Sequence, residues 1–549
     1  MIRYLLPVLL LGVFACAKAP AGASSPDADG FAYFYLDVYR PFFKRSKNAL
    51  GEDIFETAFP LGRKKQSFDA KKAQTVYRVF LLGGSVAQLY DIGSQRPTLR
   101  EALQASLPGK TVEVLNLGMS AYDAARAEVR FDEVLRYEPD LIVFMTGANE
   151  SGRPLLSSRQ AFLCGFSYLR DACESYVRWR MGAQKMSADE YRSGYARVLQ
   201  SVAEKARRRG ISLMFATLPV SVRDMPPRGV LPLDSGSFFS AWADWERGRW
   251  KKAVEGFRAC LSLKEGARSY EREAFAHYYL ARSLDKLGRY EEALEQYKKA
   301  QNNYRPLPMM NEAMRRIAKN ENVALADIEK AFEDISPHRL PGRALFEDDV
   351  HWDRSLDPLA TAVITEALSD RGGPWTSDWL KEHKDAVWEN ARALKMTRER
   401  SWYVFKVRMW EPLRSQEGLF SERVLSLLET VRLSNPQVLA DADVMKSWLK
   451  KKLTGNIWME DDEAKLDRWW PAMLAHVGEL YRRQGRYARA AVFFDAALEL
   501  SPDMRQARLY RALSYAAGGE KKRGREEIDR LPHWRGDPVV RHWMEELGL

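Results

Sequence analysis

The chain of 549 residues predicts an α/β domain, a parallel sheet wrapped by helices, with all-α helical hairpins inserted in it and appended to it. Three observations predict this. From Tyr77 onward, short apolar runs alternate with amphipathic ones, and the runs stay apolar at successive positions, as strands covered on both faces do. From Ser237 to Ala300 the pattern turns wholly helical and repeats itself. A stretch near the C-terminus carries the same spacing of small and aromatic residues.

The first residues set the compartment. Arg3 is followed by an apolar segment from Tyr4 to Ala15, too short to span a bilayer. Cys16 after Ala15 resembles a bacterial lipoprotein signal, in which Cys16 is lipidated and becomes the mature N-terminus; an ordinary secretory signal cut a few residues later is the alternative. Residues 1–16 are expected to be the signal and 17–30, rich in Ala, Ser, Gly and Pro, a flexible tether. Either signal exports the protein to the cell envelope, with the membrane as partner through Cys16 in the first case. The aromatic and basic stretch from Phe31 to Ala73 has no clear pattern.

The strand-like runs are "VYRVFLLGG", "TVEVLNLG", "PDLIVFMTG" and "ISLMFATLP". Between them lie the helical patterns "TLREALQASL", "AARAEVRFDEVLRY" and "SADEYRSGYARVLQSVAEKARRRG". The first part of the α/β domain is expected over 31–236 and its remainder over 305–370, where "AMRRIAKNENVALADIEKAFEDI" reads as helix, strand, helix and "PLATAVITEALSD" as a closing helix. The all-α insert, 237–304, repeats at an offset of 40: Ala241, Gly248, Ala253 and Phe257 recur as Ala281, Gly288, Ala293 and Tyr297. Small residues at these points are expected to let antiparallel helices approach closely. Gly478, Tyr481, Gly485, Ala490, Phe494, Ala497 and Pro502 fit the same pattern, and a shift of 34 reaches Ala512, Gly519, Gly524 and Ile528. These residues resemble the tetratricopeptide repeat. All of 371–549 is expected to be helical, and the register over 371–470 cannot be assigned. Repeat grooves imply a protein or peptide partner.

Composition excludes some functions. A net charge of +11 comes without a dense Lys/Arg block, an aromatic-basic RNA motif or zinc-finger spacing, so no nucleic-acid partner is expected. The excess is either a solvated basic surface or affinity for anionic polysaccharide or lipid headgroups. Of four cysteines, Cys164 and Cys173 are close enough for a short-loop disulfide in an oxidising compartment, or are two buried thiols; Cys260 falls on a core position of the repeat. Cysteine and histidine spacing suggests no metal site.

The chemistry lies at strand ends. A strand closing in Gly83-Gly84 before Ser85 suits a sharp turn into a helix whose N-terminus favours negative charge near the hydroxyl, although glycines also close ordinary strands. Gly118 ends the second strand and Asn149 follows the third; with the Ser85 N–H they offer three oxyanion donors. Of seven histidines, His351 in "EDDVHWD" has Asp348 three residues before it, a spacing that lets a carboxylate fix the imidazole tautomer. Asp349 is the alternative orienter. Glu150 is read as a structural acceptor or else a second base.

Together the residues resemble the SGNH, or GDSL-type, serine esterases, in the bacterial subgroup with Gly-Gly-Ser in the first block and tetratricopeptide repeats inserted before D-x-V-H. The resemblance implies a flavodoxin-like three-layer fold, with Ser85 as nucleophile, Gly118 and Asn149 as oxyanion positions, and Asp348 and His351 as acid and base. It implies acyl-ester chemistry without a cofactor, by hydrolysis or, if water is excluded, by acyl transfer between sugars; the expected envelope location points to an acetylated cell-wall or exported polysaccharide as substrate. Gly84 replaces the Asp of the GDS form, and Trp352 stands where a proline usually follows the histidine. The rival reading is a catalytically inactive scaffold built on the repeats.

Overall fold

A computed structural model of the chain describes residues 32–58, 65–90, 95–150, 154–183, 188–227, 232, 236–263, 269–304, 307–371, 374–395, 422–453, 462–531, 536 and 538–549. The expected signal, the tether and Cys16 lie outside these residues, as do 396–421 and 454–461 of the C-terminal helical stretch. The chain divides into two compact units, Met1–Gln88 with Gly109–Leu213, and Leu89–Pro108 with Met214–Leu549.

The stretch without a clear sequence pattern forms an antiparallel sheet of β1 (Phe43–Lys47), β2 (Asp53–Thr57) and β3 (Ser67–Asp69). Phe43 and Phe68 are buried, with ring centroids 5.7 and 5.5 Å from Tyr137. Lys44, Arg45 and Lys47 remain exposed. Aromatic cross-strand packing stabilises such a small sheet, and its charged edge discourages further pairing.

Next come β4 (Val76–Gly83), α1 (Ser85–Leu89), α2 (Leu99–Ser106), β5 (Thr111–Asn116), α3 (Ala124–Val134), β6 (Leu141–Met145), α4 (Ser158–Cys164), α5 (Arg170–Ala183), α6 (Ala188–Arg209) and β7 (Ser212–Ala216). A fifth parallel strand, β8 (Ala324–Ala326), completes a sheet ordered β5-β4-β6-β7-β8. Counting from β4, that order is 2-1-3-4-5, the flavodoxin-like doubly wound topology, whose chain direction switches beside its first strand. β6 is buried at all five positions, as a strand covered on both faces must be. Arg78 is buried within β4. Its guanidinium donates to Glu113 (2.7 Å), Tyr137 O (2.8 Å) and Asp69 O (3.1 Å), so the buried charge is compensated.

In the second unit, α7 (Gly236–Glu246), α8 (Trp250–Ser262), α9 (Ser269–Lys286) and α10 (Tyr290–Tyr304) form two helical hairpins. The expected role of their glycines needs correction. Gly248 (φ 71°) and Gly288 (φ 75°) sit in left-handed turns that end one helix and start the next, a backbone state that favours glycine. The close helix approach belongs to Gly256, where a Cβ would lie 2.8 Å from that of Ala241. Then α11 (Leu307–Asn320), β8, α12 (Ile328–Ile335) and α13 (Asp357–Ser369) complete the α/β elements of this unit.

The helices that follow are α14 (Asp378–Arg392), α15 (Glu422–Ser434), α16 (Ala442–Leu453), α17 (Asp462–Arg483), α18 (Tyr487–Leu500), α19 (Arg505–Ala517), α20 (Lys521–Asp529) and α21 (Pro538–Leu547). Trp470, Leu474, Tyr481, Phe494, Leu513 and Ile528 share one core. Gly524 packs against Ala512 O and Ala516 Cβ, which a Cβ would meet at 2.8 and 2.9 Å, so the glycine there is a contact point. Among the described residues no helix is long and apolar enough to cross a membrane.

Candidate active site

Ser85 is the first residue of α1, directly after β4, and is partly exposed. The two glycines before it are required by neighbours. A Cβ on Gly83 would meet Met145 O at 2.0 Å, so only glycine lets β4 and β6 end side by side. A Cβ on Gly84 would lie 2.6 Å from Asn149 Nδ2 and 3.0 Å from Tyr122 O. The Ser85 turn and Asn149 are thus brought together within the first unit. One Asn149 amide hydrogen is donated to Tyr122 O (3.2 Å); the amide nitrogen carries a second. A side chain at position 84 would collide with this asparagine.

Gly118 also sits against this turn. A Cβ there would meet Gln88 N at 2.3 Å and Ala87 C at 2.6 Å. The Gly118 N–H, expected as an oxyanion donor, donates to Asn116 Oδ1 (2.9 Å), and the Asn116 amide donates to Ala87 O (2.8 Å). Sequence reading missed Asn116. The available signal was its place two residues before Gly118, the spacing at which Asn closes a side-chain turn on the backbone.

Glu150 accepts from Ala124 N (3.0 Å) at the first turn of α3, where Asp123 accepts from Arg126 N (3.0 Å) and pairs with the Arg126 guanidinium (2.6 Å). Burial first, and then repulsion from Asp123, push Glu150 up to about 8. The structural-acceptor reading describes these contacts.

In the second unit Asp348 and His351 lie in a tight loop closed by the Phe346–Trp352 bridge and by hydrogen bonds from Glu347 N to His351 O (2.8 Å) and Asp353 N to Leu345 O (2.9 Å). Asp348 is 4% exposed, and its Oδ1 accepts from Val350 N and His351 N, both at 2.8 Å. Its Oδ2 lies 2.5 Å from His351 Nδ1, while the imidazole stays partly exposed. Asp348, and not Asp349, therefore orients the ring; the Asp349 carbonyl accepts from Ser221 N (2.9 Å). Trp352 anchors the loop. Its indole N–H donates to Asp357 Oδ1 (2.9 Å), and its ring sits 5.6 Å from Phe332 and 6.2 Å from Tyr90.

Cys164 and Cys173 form a disulfide, with Cα atoms 5.7 Å apart, joining α4 to α5. Cys260 is a buried free thiol. Among the described residues no group of three or more His, Cys, Asp or Glu side chains is placed to hold a metal ion.

Two segments match family models described as tetratricopeptide repeat, residues 274–305 and 481–544. No curated protein matches the chain. Three solved structures illustrate its likenesses. LAE5, an alpha/beta hydrolase enzyme from the metagenome of Lake Arreo, is 13% identical over 54% of this chain and 97% of its own, with a TM-score of 0.28. A GDSL-like lipase from Bacteroides thetaiotaomicron is 11% identical over 56% and 93%, TM-score 0.28. A catalytic mutant of Axe2, an acetylxylan esterase from Geobacillus stearothermophilus, is 15% identical over 55% and 95%, TM-score 0.27. The fold assignment here rests on the strand order and register.

Proposed function

We propose that the chain is an exported serine esterase acting on a carboxylic ester, with Ser85 as nucleophile and His351, held by Asp348, as its base. His351 Nε2 takes the Ser85 proton as the hydroxyl oxygen attacks the ester carbonyl. The imidazolium then returns the proton to the departing alcohol, and water, activated by the same ring, releases the acid and frees Ser85. The oxyanion is met by the Ser85 N–H and the second Asn149 amide hydrogen; Gly118 joins them only if Asn116 releases its N–H.

The observation that carries this reading is the 2.5 Å contact between Asp348 Oδ2 and His351 Nδ1 in a loop where both carboxylate oxygens are engaged. Such a contact fixes the tautomer with the proton on Nδ1 and leaves Nε2 to accept. We extend the reading to the whole chain: lipidation at Cys16 anchors it in the bacterial envelope, the repeats dock a protein partner, and an O-acylated polysaccharide of the envelope is the substrate class. Fluorophosphonate labelling followed by peptide mass spectrometry tests the chemistry. Label on Ser85, lost in Ser85→Ala together with turnover of 4-nitrophenyl acetate, is expected. An unlabelled, inactive but folded wild type would leave the scaffold reading.

A further inference from the structure

The segment between β6 and α6 carries a feature that ester hydrolysis does not use. Helices α4 and α5, joined by the Cys164–Cys173 disulfide, rest on a small core of Tyr35, Leu156, Ala161 and Val177. From this base Phe162 on α4, Tyr168 in the connection between the two helices and Trp179 on α5 stand 57, 69 and 67% exposed, together with Tyr176. Phe162 contacts Phe166 (ring centroids 5.4 Å apart), Phe166 contacts Tyr168 (5.7 Å), and Tyr176 lies 6.2 Å from Trp179. Among the described residues, every exposed Phe, Tyr or Trp lies between Phe162 and Trp179. Such a concentration of water-facing rings marks an interaction surface.

The charges narrow the choice of partner. Helices α4 and α5 hold Arg159, Arg170, Arg178 and Arg180 against only Asp171 and Glu174. Glu174 is shared by Arg170 (3.1 Å) and Arg178 (3.5 Å). Arginines interleaved with Trp, Tyr and Phe are the composition of a surface that lies in the headgroup region of an anionic bilayer, where amphipathic rings sit with one end dry and one wet.

The path of the chain points the same way. Phe34, Leu36 and Tyr39 pack on the core beneath the aromatic helices, and the Tyr39 hydroxyl donates to Leu156 O. From Ala32 back to Cys16 is about 16 residues, with a reach of at most roughly 50–60 Å. A lipid on Cys16 would lie within that reach of the patch, so that both can engage one membrane. The same segment reaches the strand-end rim, since the Tyr33 hydroxyl donates to Ser120 O (2.9 Å) and the Tyr122 hydroxyl to Tyr33 O (3.3 Å).

We propose that the exposed aromatic and arginine surface of α4 and α5 docks onto the headgroup region of an anionic membrane and holds the rim bearing Ser85 toward the lipid–water boundary. Docking stands apart from the esterase reading; only the consequence for Ser85 rests on it.

The test is sedimentation of the chain from residue 17, without acyl modification, with vesicles of phosphatidylglycerol and phosphatidylethanolamine, and with phosphatidylcholine vesicles as the neutral probe. Binding to the anionic vesicles, weakened by salt, is expected. Phe162→Ser with Tyr168→Ser and Trp179→Ser should lower the apparent affinity at least tenfold while circular dichroism and the thermal midpoint stay put. Arg159→Glu with Arg180→Glu should lower it on anionic vesicles alone, and Ser85→Ala should leave it unchanged. Equal binding by the wild type and both surface variants would overturn the proposal. So would absence of vesicle binding, including the case where the wild type is instead retained on an acetylated polysaccharide and loses that retention in the aromatic variant.

Discussion

A Cβ on Gly84 would lie 2.6 Å from the side-chain nitrogen of Asn149. The turn that presents Ser85 and the donor proposed for its oxyanion are therefore packed against each other, and the space between them has no room for a methyl group. Gly84→Ala is expected to displace the Asn149 amide without unfolding the sheet, because Gly84 does not occupy a left-handed conformation. Loss of one oxyanion donor costs about 10²–10³ in kcat. Ester turnover should fall by that factor with circular dichroism unchanged, and a fully active Gly84→Ala would refute the assignment of Asn149.

Much of this arrangement was legible in sequence. The strands β4 to β7 are runs too apolar to have a wet face, and their order follows from their connections. The packing of the Ser85 turn against Asn149 was legible because both lie just past strand ends of one parallel sheet. Asp348 and His351 were legible because three residues in a loop suffice to pair them. Two things were not. Strands β1 to β3 are short, and their packing depends on Tyr137, which lies some seventy residues or more further along the chain. The use of the Gly118 N–H by Asn116 is a local contest between two acceptors, which spacing allows but does not decide.

The Asp348–His351 contact predicts an asymmetric pair of variants. Asp348→Asn retains an acceptor for the Val350 and His351 amides but offers an N–H to Nδ1. The ring must then carry its proton on Nε2, where it cannot accept from Ser85. A loss of roughly 10⁴ in kcat is expected. Asp349→Asn should keep turnover, because it leaves Asp348 in place and Asp349 holds Ser221 N through its carbonyl. The reverse ranking in steady-state kinetics would move the orienting role to Asp349.

Glu150 predicts a stability that depends on pH. Burial and Asp123 push it up to about 8 from an ordinary value of 4.5. Between those values the folded chain keeps a proton that the unfolded chain has released, so stability falls as pH rises from about 4.5 to 8 and is level above. The loss over that window is on the order of a few kcal/mol at 1.4 kcal/mol per pH unit. Glu150→Gln retains an acceptor for Ala124 N–H and removes the titration. Urea midpoints at pH 5, 6.5 and 8 should slope down for the wild type and less steeply for the variant; parallel slopes would sink this account.

The bond between Cys164 and Cys173 closes a loop with a sequence separation of nine residues. Chain-entropy bookkeeping assigns such a loop about 2–3 kcal/mol, acting mainly on the unfolded state. Paired Cys164→Ala and Cys173→Ala should lower the stability of the hairpin of α4 and α5 by that amount, read as faster amide exchange over residues 158–183. Peptide mass spectrometry with and without reductant checks that the bond exists, and free thiols in protein purified without reductant would refute it.

Gly478 tests whether the repeat spacing is a packing requirement. It lies inside α17, where alanine is intrinsically better than glycine by about 1 kcal/mol. A Cβ there would stand 2.9 and 3.0 Å from ring carbons of Phe494 on α18, a fully buried ring. Forcing a methyl group into a packed core typically costs about 1–3 kcal/mol, so overpacking outweighs the helix gain. Gly478→Ala should therefore lower the thermal midpoint, and Phe494→Leu, by giving the methyl group room, should recover part of the loss in the double variant. If Gly478→Ala stabilises the chain, the glycine is there for some reason other than its contact with Phe494.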